Sequence, residues 1–463
     1  MSDVKVLSGL SGLDTESIIQ QIMNVERQPI TLLTERQSLI AKQKDAWNDL
    51  KSSLDALASK IAPLTYSFNF YKKTVEVGDP SVLTATASTG ALNASYEIKI
   101  TSLARAQIIQ SQAYADPTAS FGLSGTVSIN GNDIVIAAED SLNSLAQKVN
   151  GLTGAGAQAS VVQVAPGEYR LLIASSQTGT ANTVSLGGDS AVWQQLGLLD
   201  AAGIPNEVVA ATDAVFTING VQFTRSSNIV SDAIPGVTLS LKMQADPVTG
   251  AGGTTLLTVS WDDSSLVQLI KDLVAAYNSF IDTAGKYNSW DALTRKGGIL
   301  FGDPLLQQLL AEIRRLLFDQ VPGSASGYES AVMVGISTGP LGGFSREGKI
   351  SFDEAKFLDK LKANRDAVAY LFTSATGTAK SFSKALSAYT KSDGYVDVRM
   401  TRLNDENKAI SERIEELQER LDTRLAALRR QFSALETMLM KMNSISLWLG
   451  QQVAGMTQGI PSA

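Results

Sequence analysis

Residues 414–449 read IEELQER LDTRLAA LRRQFSA LETMLMK MNSISLW L, and an apolar residue opens each group of seven. The opening positions are Ile414, Leu421, Leu428, Leu435, Met442 and Leu449. Apolar residues that keep this spacing form one stripe along a long helix, and the stripe requires a second helix to cover it. The stretch therefore predicts a coiled-coil-like helix, which we expect to run from about Val396 to Gln452.

The N-terminal part of the chain repeats this spacing in two rows. The first row is Leu33, Ile40, Trp47, Leu54 and Ile61, and the second is Leu50, Leu57 and Leu64. Asp14 has the side chain of an N-cap for a first helix, and Pro29 should kink or break that helix, because proline disrupts a helix interior. We expect a second helix from about Ile30 to Ala62. We also predict that the two terminal helices pair within the chain and contact other chains, with a purely internal bundle as the alternative.

The middle of the chain, from Lys73 to about Ser260, changes to the two-residue period of strands. Asn130-Gly131 stands between two apolar alternating segments, and the phrase Val127–Gly131 is echoed by Phe216–Gly220. Asn-Gly favours a two-residue hairpin turn, because both central residues of that turn need positive φ. We therefore predict two related β-rich modules, one with a short helix that begins after Asp140-Ser141.

After the strands the pattern predicts helices from Asp262-Asp263 to about Tyr287 and over Pro304–Phe318, with short strands at Val332–Ile336 and Lys349–Phe352. The predicted fold is an α+β multidomain fold with long coiled-coil-like terminal helices, a mixed helical domain and two β-rich inserted domains. The predicted limits are 1–45 with 400–463 for the terminal helical domain, 46–73 with 261–399 for the mostly helical domain, 74–125 with 214–260 for one β-rich domain, and 126–213 for the inserted β-rich domain with one short helix.

Composition excludes several kinds of chemistry. The chain has 463 residues, a formal net charge of −7 and neither cysteine nor histidine. Without thiols and imidazoles it has no disulfides, no Ser-His-Asp or Cys-His catalysis and none of the usual zinc sites. An acidic chain also lacks the broad basic face that nucleic acids require. We expect no catalytic, cofactor-binding or metal-binding residues, although carboxylate and lysine chemistry stay open.

Three motifs invite a chemical interpretation that their context does not support. Gly343–Ile350 fits a phosphate-binding loop except at its last position, where Ile350 replaces the Ser or Thr that binds magnesium. The loop also leads into an alternating strand rather than a helix N-terminus. Asp262-Asp263 and Asp353-Glu354 each precede an apolar helix, so we interpret them as caps and not as catalytic pairs.

Two observations bear on where the protein resides. No apolar segment approaches the ~20 residues of a membrane span. Met1–Gly12 contains one lysine, short apolar patches and no cleavage-type end, so it does not resemble a secretory signal. The residues alone predict a protein that is either cytoplasmic or exported with its N-terminus intact.

The sequence resembles a known family at both ends. Gly9–Ile19 with Val25–Pro29, and Phe432–Leu449, resemble the opening and closing motifs of flagellar hook-associated protein 2 (FliD), the family that caps the flagellar filament. Val127–Gly131 with the helix after Ser141 resembles the repeated insert module of flagellar axial proteins, and Val334–Glu354 also fits the family pattern. The resemblance covers nearly the whole chain.

The resemblance implies a ring of about five or six subunits at the filament tip, which guides flagellin as it folds and inserts. It implies export through the flagellar type III channel without a cleaved signal, an extracellular location at the tip, and three kinds of partner: a cytoplasmic chaperone, flagellin and the hook–filament junction proteins. The residues that we expect at subunit or filament contacts are apolar and lie towards the two ends: Leu10, Leu13, Ile18, Ile19, Ile22, Leu33, Ile40, Ile414, Leu421, Leu428, Leu435, Met442 and Leu449.

Other functions remain open from the sequence. Another axial flagellar protein, such as flagellin or a junction protein, would share the helical ends. An adhesin would bind host mucin or other glycans through its β-rich domains, in which the aromatic candidates are Tyr114, Tyr169, Trp193 and Phe223. Such aromatics are more often part of a core than of a sugar platform. An enzyme is the least favoured class, because a hydrolase needs carboxylates gathered in a pocket.

Overall fold

The structure is a computed structural model that describes residues 14–246, 248–338 and 348–457. The chain divides into a helical unit, Met1–Ser67 with Val267–Ala463, and a β-rich unit, Phe68–Leu266. The described helices are α1 Thr15–Glu26, α2 Gln28–Ile61, α3 Leu142–Asn150, α4 Ser190–Gln195, α5 Asp263–Asn288, α6 Pro304–Phe318, α7 Glu354–Ala363, α8 Arg365–Thr373, α9 Thr378–Thr390 and α10 Tyr395–Thr457.

The described strands follow the same chain order. They are β1 Lys73–Val77, β2 Leu83–Ala87, β3 Ala94–Ser102, β4 Ile108–Gln110, β5 Gly125–Ile129, β6 Asn132–Ile136, β7 Ala157–Ala165, β8 Glu168–Ser175, β9 Leu186–Gly188, β10 Glu207–Val209, β11 Ala214–Ile218, β12 Val221–Arg225, β13 Ile229–Ile234, β14 Val237–Leu241, β15 Thr254–Trp261, β16 Trp290–Asp291, β17 Lys296–Gly297, β18 Ile336–Thr338 and β19 Ile350–Phe352.

The first two helices begin and end where local chemistry requires. The backbone N–H of Ser17 donates to the Asp14 carboxylate at 3.0 Å, so Asp14 caps α1 as predicted. α1 ends at Glu26 and α2 begins at Gln28, which places Pro29 in the first turn of α2. Proline is tolerated there because the first-turn amides have no intrahelical acceptor. The predicted break before the long helix is therefore confirmed.

The core of the helical unit forms along α2. Both predicted apolar rows are buried from Ile40 onwards, and Trp47 is fully buried. α9 and α10 pack against α2, and α6 packs against α9. Each fully buried side chain of this size contributes about 1.5–3 kcal/mol to folding. The heptad rows thus account for the bundle in which α10 begins.

The β-rich unit contains two hydrophobic clusters. A five-stranded antiparallel sheet, in the order β1-β15-β3-β11-β12, and a three-stranded sheet, β13-β14-β2, enclose a cluster that includes Phe216 and Leu239. A four-stranded sheet, β10-β4-β8-β7, and a three-stranded sheet, β6-β5-β9, enclose the other with α3 and Trp193. Ile109 of β4 belongs to this second cluster, ahead of the limit at residue 126. The domain limits themselves stay a prediction.

Both Asn-Gly pairs form the predicted hairpin turns. Asn130 and Gly131 have φ of 49° and 80°, and Asn219 and Gly220 have φ of 49° and 82°. In each turn the asparagine Oδ1 accepts a backbone N–H from outside the hairpin, from Ser185 at 2.7 Å and from Glu97 at 2.9 Å. The sequence echo therefore corresponds to one local structure that occurs twice.

One predicted strand is wrong. Val332–Ile336 begins as a 3-10 helix over Ala331–Val334, and strand β18 starts only at Ile336. Gly335 has φ of 99°, which ends the helical turn and redirects the chain. The apolar alternation could not show this, because a left-handed glycine changes direction without changing the hydrophobic pattern.

Candidate functional site

The terminal helices α1 and α10 pack through a small apolar cluster. Ile19 and Met23 of α1 are buried against Leu421 and Leu428 of α10. Four partly buried side chains complete the cluster: Ile22, Ile30, Leu425 and Phe432. The two ends of the chain therefore meet in one helical pair.

Polar contacts set the register of this pair. The Thr15 hydroxyl donates to the Glu436 carboxylate at 2.6 Å. Arg424 and Arg429 form ion pairs with Glu26 at 3.3 Å and with Glu16 at 3.4 Å. The helices are antiparallel, so residues earlier in α1 lie beside residues later in α10. Exposed ion pairs of this kind contribute little stability, and their value here is orientation.

The same register continues along α2. Arg36 forms an ion pair with Glu406 at 2.7 Å, and the Gln37 amide donates to the Ser411 hydroxyl at 2.8 Å. Arg413 of α10 pairs with Glu416 on its own helix. Polar groups thus line the edges of the helical pair over most of its described length.

The residues expected at assembly contacts fall into three groups. Ile19, Ile40, Leu421 and Leu428 are buried within the subunit, and Ile22, Leu33 and Ile414 are half-buried. Ile18, Leu435, Met442 and Leu449 are exposed. Leu10 and Leu13 lie outside the described residues. Their role in assembly stays a prediction, and among the described members of this set the exposed group offers the most surface to another chain.

The last part of α10 is exposed on all sides. Every residue from Lys441 to Val453 is exposed, including Leu447 and Trp448 at 70% and 58%. Residues 442–457 carry no charged side chain. Sequence reasoning treated the heptad row as uniform and missed this division at about Glu436. The loss of charge after Lys441 was the signal that marked it.

The carboxylates that suggested chemistry act as helix caps. The backbone N–H of Ser265 donates to Asp262 at 3.0 Å, and that of Lys356 donates to Asp353 at 3.0 Å. Burial raises the pKa of Asp262, but hydrogen bonds from Ser265 and Ser264 outweigh it and leave the pKa below its ordinary value. An ionised carboxylate is what a helix N-terminus favours.

The phosphate-loop and metal interpretations gain no support from the described part of the chain. Most of Gly343–Ile350 lies outside it, and Ile350 begins strand β19. Lys349 forms an ion pair with Asp282 at 2.7 Å. Within the described residues there is no group of three or more acidic side chains placed to hold a metal ion.

The four aromatic candidates for sugar binding contribute to the core. Trp193 is fully buried, and its indole N–H donates to the Gly187 carbonyl at 3.0 Å. Tyr114 and Tyr169 pack against the same cluster as Trp193. Phe223 stacks on Phe216, with ring centroids 5.6 Å apart. Their placement favours the structural interpretation over a sugar platform.

None of the helices in ranges 14–246, 248–338 and 348–457 is both long and apolar enough to cross a membrane.

Two comparisons with protein families bear on identity. The sequence model of the flagellar hook-associated protein 2 C-terminus matches residues 211–444, and the model of the N-terminus of that protein matches residues 11–107. The chain belongs to the flagellar hook-associated protein 2 family. The resemblance of the two terminal motifs is thereby confirmed.

Relatives in this family match along nearly the whole chain. Flagellar hook-associated protein 2 of Escherichia coli K12 is 29% identical over 476 residues, which covers 98% of each chain. The B-type protein of Pseudomonas aeruginosa is 28% identical and covers 91% of this chain and 93% of its own length. The crystal structure of the flagellar cap protein FliD D1-D2-D3 domains from Escherichia coli superposes with a TM-score of 0.61 at 29% identity, covering 77% of this chain and 99% of that one.

Family membership identifies the general function of the chain. The relatives are structural cap proteins of the bacterial flagellum. The predicted α+β multidomain fold and the predicted role in a filament cap are confirmed.

Proposed function

We propose that this chain forms a closed ring of about five or six subunits at the tip of the flagellar filament, where it guides flagellin insertion. The exposed last part of α10, Leu435–Val453, carries the proposal. It has the apolar row of a coiled coil, and every residue from Lys441 to Val453 is exposed. A contiguous apolar surface in a soluble subunit marks an interaction site.

The division of α10 gives each subunit one anchored and one exposed segment. Leu421 and Leu428 hold α10 to α1, and the exposed segment binds a neighbouring chain. Ordering the exposed segment costs conformational entropy, so each contact is weak. Several weak contacts around a ring add through avidity, while any single one can open. A cap that moves as its filament grows needs both properties.

The family resemblance and the same exposed surface support a proposed location and proposed partners. We propose export through the flagellar type III channel to the outside of the cell, without a cleaved signal. A charge-free apolar segment needs cover before assembly, which favours a dedicated chaperone in the cytoplasm. Flagellin and the hook–filament junction proteins are the proposed partners at the tip. Host mucin stays a proposed partner of the β-rich unit.

A deletion of residues 437–463 tests the proposal. It keeps Glu436 and the buried pair of α10 leucines, so the remaining subunit should fold, with a circular dichroism signal reduced only by the helix that is removed and an unchanged thermal unfolding transition. We expect the full chain to restore filament growth to cells that lack their own cap protein and the deletion variant to fail. Normal filament growth with the deletion variant would contradict the role of this segment.

Light scattering supplies the independent readout of the ring. A discrete oligomer of the full chain that changes on deletion supports a ring held or tuned by α10. A strict monomer that nevertheless restores filament growth would restrict ring formation to the filament end. A strict monomer without that activity would overturn the proposed function.

A further inference from the structure

Asn-Gly occurs three times in the chain, at Asn130-Gly131, Asn150-Gly151 and Asn219-Gly220. An asparagine that precedes glycine is prone to hydrolytic loss of its side-chain amide, because glycine has no Cβ to shield its backbone nitrogen. That nitrogen attacks the side-chain carbonyl carbon of the asparagine. The structure holds the three side-chain amides in different ways, so their reaction rates should differ.

The reaction consumes only water. The glycine nitrogen loses its proton and forms a bond to the asparagine Cγ, and the bond from Cγ to Nδ2 breaks, so that ammonia leaves with that proton. The product is a five-membered cyclic imide. Water then opens the ring at one of its two carbonyl carbons and leaves aspartate or isoaspartate, in which the main chain runs through the former side chain. No atom changes its oxidation state.

At Asn150, the last residue of α3, both reacting groups are already engaged. The Gly151 N–H donates to the Gln147 carbonyl at 2.9 Å. The Asn150 side chain donates to the Ala159 carbonyl and accepts from the Ala159 N–H, each at 2.8 Å. Attack at this pair breaks all three hydrogen bonds, so it is the best protected of the three.

The two hairpin turns present the same backbone to the reaction. Both asparagines follow an isoleucine, have φ of 49° and are exposed. Among the described residues, neither Gly131 nor Gly220 finds an acceptor for its N–H, so both nitrogens face solvent. Each asparagine Oδ1 accepts a backbone N–H from another segment. Such a donor stabilises the negative charge that develops on this oxygen when Cγ is attacked.

The two turns differ in what holds the amide nitrogen. Asn130 Nδ2 donates to the Ala155 carbonyl at 2.7 Å, so both ends of this amide are fixed. Asn219 Nδ2 has no hydrogen-bond partner in the part of the chain that the structure describes. The amide at 219 can therefore rotate and bring its carbonyl carbon towards Gly220. A carboxylate at 219 also keeps the acceptor contact with Glu97, whereas a carboxylate at 130 loses the donor to Ala155.

We propose that Asn219 is the deamidation site of the folded chain and that side-chain contacts protect Asn130 and Asn150. The proposal goes beyond the proposed function and does not depend on it. One hydrogen bond of this kind shifts an equilibrium by about threefold to tenfold. We expect a difference of that size between the rates at Asn219 and Asn130.

Isoaspartate at this position would open one edge of a sheet. Val221 lies opposite Ile218 across the two-residue loop, and β12 is the last strand of the five-stranded sheet. The additional backbone carbon lengthens the loop, so the pairing of β11 with β12 loses its register. Phe223 of β12 then loses its stacking on Phe216. Deamidation at Asn219 thus converts this edge of the β-rich unit slowly and irreversibly from closed to open.

Peptide mapping of the full chain tests the assignment. The folded protein is kept in warm buffer at neutral and at mildly alkaline pH, then digested and analysed by mass spectrometry with fragmentation that distinguishes isoaspartate. We expect the peptide with Asn219 to convert about threefold to tenfold faster than the peptide with Asn130, with Asn150 slowest. Its rate should rise with pH, because the glycine nitrogen must lose its proton. Equal rates at Asn130 and Asn219, or a faster rate at Asn130, would overturn the proposal.

The denatured chain and one variant are the matched controls. In denaturant the three pairs lose their tertiary contacts, so their rates should converge. A rate ratio between Asn219 and Asn130 that is the same in folded and denatured protein would overturn the proposal. Gly220→Asn keeps a residue type that tolerates positive φ but shields the attacking nitrogen, so this variant should convert far more slowly at Asn219.

Hydrogen exchange tests the structural consequence. After ageing, peptides from residues 221–225 should exchange faster in the parent chain, because β12 is released. Residues 132–136, which follow the protected turn, should exchange as before, and the aged Gly220→Asn variant should remain closed at both strands. Unchanged exchange over residues 221–225 in protein that carries isoaspartate at 219 would overturn the proposed opening.

Discussion

Asp303 connects two helices through one carboxylate. It caps α6 by accepting the N–H groups of Leu305 and Leu306, and it pairs with Arg399 of α10 at 3.1 Å. Asp303→Ala removes both contacts and leaves a partly buried guanidinium unpaired, so we expect a loss of about 2–3 kcal/mol in unfolding free energy. Urea denaturation followed by far-UV circular dichroism measures it.

Asp303→Asn is the matched control for this prediction. Asparagine caps a helix about as well as aspartate but carries no charge, so its cost should be smaller than that of alanine. Equal losses for the two variants would show that the cap contributes nothing. An unchanged stability in the asparagine variant would show that the ion pair with Arg399 contributes nothing.

Asp140 should make the stability of the β-rich unit sensitive to acid. Burial raises the pKa of Asp140, but hydrogen bonds from the Ala137 N–H, Lys148 and Ser144 outweigh it and lower the pKa from its ordinary 3.8. A depressed folded-state pKa stabilises the fold above the unfolded value, and this contribution is lost as pH falls through the folded value. We therefore expect stability to fall below a pH of about 4.

The variant Asp140→Asn checks that assignment. It should lower the unfolding free energy at pH 7 by about 1–2 kcal/mol and weaken the dependence below pH 4. Thermal melts of both proteins between pH 3 and 7 give the comparison. Parallel pH dependences in the two proteins would contradict a role for this carboxylate.

Two glycines illustrate how element context decides the sign of one substitution. Gly131 occupies the left-handed position of a hairpin turn, with φ of 80°, whereas Gly285 lies within α5 with nothing inside 4 Å of an added Cβ. Gly131→Ala should cost about 1–2 kcal/mol, and Gly285→Ala should gain about 0.5–1 kcal/mol. Differential scanning calorimetry measures both changes in stability. A change in the same direction for both variants would refute the argument.

Elements with a local cause were predictable from the sequence. Asp14, Pro29 and the two Asn-Gly pairs act within a few residues, so their helix boundary and turns follow from side-chain chemistry alone. The prediction of a strand at Val332–Ile336 was wrong because Gly335 changes the direction of the backbone without changing the apolar pattern. Local rules thus identify most elements and miss where a backbone conformation overrides side-chain type.

The candidate site was less predictable, because the burial of a side chain on α10 depends on whether another helix extends alongside it. Leu421 and Leu435 have the same side chain and the same heptad position. Leu421 is 8% exposed and Leu435 is 44% exposed. Contact with α1 separates them, and the charge pattern of α10 changes only after Lys441, beyond both leucines.

At the scale of the whole molecule, α10 joins a packed half to an exposed half without interruption. Backbone amides within a helix exchange slowly only when opening of the helix is costly, and packing provides most of that cost. In the free subunit we expect residues 437–453 to exchange with deuterium much faster than residues 403–436. Within a few minutes of labelling, mass spectrometry of peptides from the two segments should separate them.

Assembly should remove that difference if the exposed segment is the part that meets other chains. We expect protection of residues 437–453 to rise with protein concentration as oligomers form and to rise further on filament ends, while residues 403–436 change little. Peptides around Trp193 in the β-rich unit serve as the internal control, because their core is complete in one subunit. Uniform protection along α10 in the free subunit would mean that the segment is already covered. The case for its role in assembly would then fail.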